Sequence, residues 1–149
     1  MIVLNNLNSY LGGGEVLLVR FATYLKKRNI AFLILCSENS YIENECKKND
    51  FQYVCWYPNE QTCHYLQEKD KPSLEKTLNQ LKKNINGPIR IFNFCSRDLH
   101  NCLYIFKKYF EIESISMGVY HPYEFKYLAS FNLHKKKMLA WNRKLFENM

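Results

Sequence analysis

The sequence predicts a single α/β domain over residues 1–149, with a parallel sheet of about five or more strands and helices on both faces, as in Rossmann-like domains. Three observations predict this class. Five short apolar runs alternate with polar or amphipathic segments along the chain. The run at 30–36 is continuously apolar, as expected for a strand that is covered on both faces. The length of 149 residues suits one domain, and no internal repeat or interdomain linker is visible.

Each element is predicted from its own pattern. The predicted strands are the apolar runs, which lie in chain order at 1–6, 30–36, 51–57, 89–95 and 112–120. The first helix is indicated by apolar residues at i, i+3, i+4 and i+7, which are Leu18, Phe21, Ala22 and Leu25. The remaining helices are predicted to begin at Ser40, at Pro72, at Ser96 and at about residue 131.

The positive charge is explained largely by helix ends. The net charge is +7, from 21 basic and 14 acidic residues. The basic groups at 26–28 and 82–83 close predicted helices, where cations complement the helix dipole. A third cluster, Lys135, Lys136 and Lys137, is either a solvated face or a contact for an anionic surface. No sequence pattern of a nucleic-acid-binding module occurs, so no nucleic-acid partner is predicted.

The cysteines and the N-terminus predict a reduced, cytoplasmic protein. Six cysteines are present without a C-x-x-C pair or zinc-ligand spacing, which favours free thiols packed as small apolar side chains. The first residues have no basic region followed by a cleavage site, so no signal peptide is predicted. The predicted location is therefore the cytoplasm, with peripheral contact to the inner face of a membrane through the lysine cluster as a further prediction.

The stretch "GGGE" is the strongest candidate for a binding site. In an open parallel sheet, ligands bind beyond the carboxyl ends of the strands, where the loop after the first strand lies. Gly12, Gly13 and Gly14 would let a ligand approach the backbone closely. Glu15 would repel a phosphate placed on the helix end, so an uncharged, hydroxyl-rich group is predicted beside it. The alternative is a tight turn with a glutamate that complements the helix dipole.

The sequence contains none of the following more specific nucleotide-binding, hydrolase or metal-binding motifs. G-x-G-x-x-G fails because Leu17 occupies the position of the third glycine. No P-loop, G-x-S-x-G elbow or H-E-x-x-H pattern occurs. The three aspartates form no D-x-D pair, so no metal and no other bound cofactor is predicted.

Two further groups of candidates follow later strands. His121 comes directly after the fifth predicted strand, flanked by Tyr120 and Tyr123, whose rings could stack on a sugar. Asn93 and Ser96 lie at and beyond the end of the fourth strand. The alternatives are a locally hydrogen-bonded turn histidine, aromatic residues that fill the core edge, and a serine that simply caps the next helix.

The opening of the chain resembles that of GT-B glycosyltransferases, particularly glycosyltransferase family 4. The resemblance rests on an asparagine followed at a distance by Gly12–Gly14 and Glu15, then an amphipathic helix and the strand "NIAFLILC". The later segment "GVYHPYEFKYL" is similar to the family's segment after the fifth strand, with His121 at the matching histidine. The resemblance covers essentially the whole chain, but only as the N-terminal half of that architecture.

The resemblance implies a division of labour between two domains. This domain would hold the sugar acceptor, and the nucleotide-sugar donor would bind mostly in a second Rossmann domain or chain, which this sequence does not include. The glycine backbone would approach the donor phosphates or the transferred sugar, and His121 would act as a hydrogen-bond partner or base. The implied reaction transfers a sugar to a cell-surface polysaccharide or lipid-linked acceptor without a metal. A non-catalytic Rossmann-like binding or assembly module is the alternative.

Overall fold

The computed structural model describes residues 1–57, 67–94 and 106–117. The strands are β1 (Ile2–Asn5), β2 (Phe32–Cys36), β3 (Tyr53–Cys55), β4 (Ile89–Asn93) and β5 (Ile112–Met117). The helices are α1 (Gly13–Lys27), α2 (Tyr41–Asn49) and α3 (Lys71–Asn84), with a 3-10 turn at Glu68–Asp70 and helical residues at 106–109. The predicted helix start at Ser96 and the predicted helix at 131–149 lie outside the described residues.

The five described strands form one parallel sheet in the order β3-β2-β1-β4-β5. The chain runs outward from β1 through β2 to β3, then returns to the opposite side of β1 as β4. The strand order therefore reverses between β1 and β4, which is the point where ligands bind in folds of this kind. This arrangement confirms the predicted Rossmann-like α/β class.

The sheet has a hydrophobic core on each face. Val3 of β1 points into the core shared with α3, whereas its neighbour Leu4 points into the core shared with α1 and α2. The strand side chains alternate between the two cores because successive residues of a strand face opposite sides. The predicted stripe of α1 lies in the second core, with Leu18, Ala22 and Leu25 buried and Phe21 packed against them.

The C-terminal cations of the helices are engaged by the protein itself. The Lys26 ammonium donates to the backbone carbonyls of Asn49 (2.7 Å) and Asp50 (2.9 Å), at the end of α2. Lys82, in the last turn of α3, lies 4.6 Å from the centre of the Tyr109 ring. Both contacts agree with the assignment of these charges to helix ends.

The start of α1 differs from the prediction in one respect. The three glycines were expected to form the turn before the helix, but Gly12 is the N-cap and the helix begins at Gly13. Gly12 has φ −149°, an extended conformation that any residue adopts. Its lack of a side chain therefore reflects the space around it rather than its backbone angles.

Helix α2 begins with reciprocal side-chain caps. The Ser40 hydroxyl accepts a hydrogen bond from the Glu43 N–H (3.2 Å), and the Glu43 carboxylate accepts one from the Asn39 N–H (2.6 Å). Lys47 lies 2.7 Å from the same carboxylate. Burial alone would raise the pKa of Glu43, but Lys47 and the Asn39 N–H outweigh burial and hold the pKa below its usual value.

This lowered pKa predicts a specific loss of stability in acid. Because the folded-state pKa of Glu43 lies below its unfolded value of about 4.3, its contribution is present above about pH 4.3 and is lost as the pH falls through the folded pKa. We expect Glu43→Gln to lower the free energy of unfolding by about 1 kcal/mol at pH 7 and by less at pH 3. Urea unfolding at both pH values measures this, with the exposed Glu75→Gln as the matched control. An equal cost of Glu43→Gln at both pH values would contradict it.

Candidate functional site

The candidate site lies at the carboxyl edge of the sheet, where the strand order reverses. Asn5 and Asn93 are partners in the register of β1 and β4. The Asn5 side-chain amide donates to the Asn93 side-chain carbonyl over 2.6 Å, and both residues are buried. The predicted candidate Asn93 is thus placed at this edge, in the floor beneath the surface.

The loop after β1 is folded around the carboxylate of Glu15. Glu15 is only 3% exposed, and its Oε1 accepts hydrogen bonds from the amides of Asn6 (2.8 Å) and Asn8 (2.9 Å). The Asn8 N–H also donates to the Asn6 side-chain carbonyl over 3.0 Å. The positive end of α1 is therefore complemented by a carboxylate that the protein itself supplies.

The same loop is attached to the neighbouring strand. The Asn6 N–H donates to the carbonyl of Leu35 in β2 over 3.1 Å. The Ser37 hydroxyl, just beyond β2, donates to the carbonyl of Leu7. These bonds hold the β1–α1 loop against the end of the sheet.

Gly12 and Gly13 lack side chains for different reasons. A Cβ atom on Gly12 would lie 2.8 Å from Oε2 of Glu15, a distance well inside van der Waals contact. A Cβ atom on Gly13 would meet no atom of residues 1–57, 67–94 or 106–117 within 4 Å. The bare backbone at Gly12 thus makes room for the protein's own carboxylate, whereas Gly13 leaves an open surface. Gly14 follows in the first turn and is half-buried.

Two exposed apolar side chains stand directly before the glycines. Tyr10 is 75% exposed and Leu11 is 63% exposed. The nearby Ser9 hydroxyl oxygen is buried and has no hydrogen-bond partner among the described residues. Sequence reasoning overlooked Tyr10, as well as the amides Asn6 and Asn8 that hold Glu15. The available signal was a polar "NNLN" run at the end of a strand, followed by an aromatic residue next to glycines.

The other predicted site residues lie outside the described residues. They are Ser96, Tyr120, His121 and Tyr123, together with the cluster Lys135, Lys136 and Lys137. The proximity of His121 to the glycines, and the contact of the lysine cluster with a membrane, both stay predictions.

A separate cavity of about 510 Å³ lies along β3, between Glu38 and the first half of α3. At its border the Tyr57 hydroxyl donates to the Asp70 carboxylate over 2.5 Å. Burial, followed by this hydrogen bond to an anion, raises the pKa of Tyr57 to about 12. Tyr57 is therefore a neutral hydrogen-bond donor at physiological pH.

Across residues 1–57, 67–94 and 106–117, no group of three or more His, Cys, Asp or Glu side chains is arranged to hold a metal ion. In the same part of the chain, none of the helices combines the length and apolar character that crossing a membrane requires.

Comparison with known proteins gives no relative from which a role could be transferred. No protein-family model, no curated protein and no solved structure matches this chain. The class that the structure defines is thus a Rossmann-like α/β domain with a loop, closed around Glu15, at the point where the strand order reverses.

Proposed function

We propose that this chain is the acceptor-side domain of a GT-B-type glycosyltransferase. In this proposal, the surface formed by Tyr10, Leu11, Gly12 and Gly13, here called the glycine edge, binds a neutral sugar. The observation that carries the proposal is the buried carboxylate of Glu15 at the start of α1, held by two asparagine amides. An anion placed at this helix end would meet that carboxylate, whereas an uncharged, hydroxyl-rich ligand would not be repelled.

The exposed groups of the glycine edge suit such a ligand. The first N–H groups of a helix have no acceptor within the helix, so sugar hydroxyl oxygens can accept from them. Among the residues that the structure describes, no atom lies within 4 Å of the position of a Cβ on Gly13, which leaves its backbone open to approach from this part of the chain. The exposed Tyr10 ring offers an apolar face of the kind that packs against the C–H face of a sugar.

The proposed reaction needs a second component. A hydroxyl of the bound acceptor attacks the anomeric carbon of a nucleotide-sugar, and the nucleoside diphosphate leaves. The donor is held by a second Rossmann domain or chain, as the resemblance implies, and His121 assists as hydrogen-bond partner or base. The proposed acceptor is a cell-surface polysaccharide or lipid-linked glycan, and the proposed location is the cytoplasmic side of a membrane.

Ligand-observed NMR with the full chain tests the binding step. We expect saturation transfer to neutral oligosaccharides and none to inorganic phosphate or to simple sugar phosphates. Tyr10→Ala is expected to weaken binding about three- to tenfold, because aromatic packing contributes about 0.5–1.5 kcal/mol. Gly13→Ala is expected to weaken it as well, since the added methyl group stands on the open surface where the ligand rests.

The control is Asn44→Ala, an exposed substitution in the first turn of α2, which should leave binding unchanged. Preferential binding of phosphate, or equal affinities of the wild type and of both glycine-edge variants, would refute a sugar site here.

A non-catalytic assembly module is supported by a different observation. Leu17 and Tyr24, seven residues apart on α1, are 45% and 50% exposed and lie on one side of the helix. Light scattering at increasing protein concentration separates the alternatives. A stable oligomer without sugar binding favours assembly, and a monomer that binds sugar favours the glycosyltransferase domain.

A further inference from the structure

Three cysteines far from one another in the sequence meet at the edge of the sheet. Cys36 ends β2, Cys55 ends β3, and Cys46 lies on α2 above them. Cys36 and Cys55 are direct partners in the register of the two strands. Cys36 and Cys46 belong to the same buried cluster, Cys55 packs against it, and all three thiols are free.

The three thiols differ in how well a solvent-borne reagent can reach them. Cys36 and Cys46 are almost completely buried, at 0% and 1% exposure. Cys55 is only partly buried and lines the cavity along β3. A small oxidant therefore reaches Cys55 first and reaches the other two only through it or through opening of the fold.

The backbone geometry allows Cys36 and Cys55 to be joined. Neighbouring strands of a sheet lie about 4.7–4.9 Å apart, and register partners face the same side of the sheet. Disulfides form at Cα separations of about 4.4–6.8 Å, a range that includes the usual spacing of neighbouring strands. Cys46 lies on α2, is 1% exposed and has no register partner in either strand, so Cys36 is the partner that the sheet itself places beside Cys55.

We propose that Cys55 is a peroxide-reactive thiol and that Cys36 resolves it to a Cys36–Cys55 disulfide. In the first step, the Cys55 thiolate attacks hydrogen peroxide, the O–O bond breaks, and a sulfenic acid and hydroxide form. In the second step, the Cys36 thiol attacks the Cys55 sulfur, its proton leaves with the hydroxyl group as water, and the S–S bond forms. The two thiols lose two electrons in total, and one peroxide is reduced to two waters.

Exposure assigns the attacking role to Cys55, since Cys36 is 0% exposed, and the direction of the Cys55 pKa shift agrees with that role. The hydrogen bond from Cys36, the largest influence, lowers the pKa of the Cys55 thiol and so favours its thiolate, the nucleophilic form. The hydrogen bonds with Cys46 and Cys55, and then burial, raise the pKa of Cys36. Burial, Glu43 and Glu38 oppose ionisation of Cys55 but do not outweigh the Cys36 hydrogen bond, and the Glu43 charge is paired with Lys47 at 2.7 Å. Cys55 is thus the attacking thiol and Cys36 the resolving one.

The test is oxidation of the folded, full-length chain with hydrogen peroxide, followed by blocking of free thiols and non-reducing peptide mass spectrometry. The expected result is one Cys36–Cys55 linkage, a fall in free thiols from six to four, and full recovery with dithiothreitol. Cys55→Ser should abolish the linkage, and Cys46→Ser should leave it unchanged. Circular dichroism establishes that each variant is folded.

Cys36→Ala supplies an independent readout. Without its resolving partner, Cys55 should remain as a sulfenic acid that dimedone labels, whereas the wild-type chain should label much less. A linkage that includes Cys46, a disulfide between other cysteines, or the same loss of thiols in Cys55→Ser would overturn the proposal. An absence of any reversible oxidation in the folded chain would overturn it as well.

Discussion

Replacing Gly12 with alanine is expected to lower the free energy of unfolding by about 1–3 kcal/mol, the usual cost of forcing an atom into filled space. The added Cβ would lie 2.8 Å from Oε2 of Glu15, whose carboxylate is held in place by Asn6 and Asn8. Gly13→Ala is the matched control. Its Cβ would meet none of the atoms in the described part of the chain, and alanine is the better helix former, so the substitution should be neutral or stabilise by up to about 1 kcal/mol.

A double-mutant cycle identifies the cause. Glu15→Ala alone is expected to cost about 2–4 kcal/mol, because the amides of Asn6 and Asn8 lose the charged acceptor they share. In that background Gly12→Ala should cost almost nothing, since the clashing carboxylate is gone. Urea unfolding of the four proteins gives the coupling free energy. Additive effects would show that Gly12 is glycine for a reason other than Glu15.

Phe106→Ala is expected to lower the free energy of unfolding by about 3–5 kcal/mol, as for other large aromatic residues removed from a core. Phe106 is completely buried, and its ring stacks on Trp56 with 5.8 Å between centres. Removing the Phe106 ring would leave a cavity between the helical residues 106–109 and the sheet. Thermal or urea unfolding followed by circular dichroism measures it.

Tyr24→Ala provides the control for this effect. Tyr24 is an aromatic residue on α1 that is 50% exposed, so its removal should change stability by less than about 1 kcal/mol. A similar small cost for Phe106→Ala would mean that the segment 106–110 does not contribute to the core in the way described.

The class of fold was readable from the sequence because it depends on local patterns. The continuously apolar run at 32–36 and the stripe Leu18, Ala22 and Leu25 each report burial independently of the rest of the chain. The exact first and last residues of the helices and strands were harder to predict. Gly13 and Gly14 belong to the helix rather than to a turn, because the first residues of a helix need few intrahelical hydrogen bonds and so tolerate poor helix formers.

The candidate site could be predicted only in part from the sequence. The position of the glycines at the carboxyl edge follows from strand order, and it was predicted. Two features of the site depend on the path of the β1–α1 loop, whose sequence has no periodic pattern. They are the closeness of Gly12 to Glu15 and the hydrogen bonds from Asn6 and Asn8 to the Glu15 carboxylate. The meeting of Cys36 with Cys55 depends on the register between strands, which apolar runs do not encode by themselves.

The amide bridge from Asn5 to Asn93 has a mechanical consequence for anything that docks above it. Where the strand order reverses, the neighbours β1 and β4 are not consecutive in the chain, and their parallel pairing joins the two halves of the sheet. The Asn5–Asn93 bridge adds a side-chain hydrogen bond at the carboxyl ends of these two strands, in a buried position where competing water is excluded. A ligand above this edge would therefore lie over two buried amides whose hydrogen bond fixes their positions relative to each other.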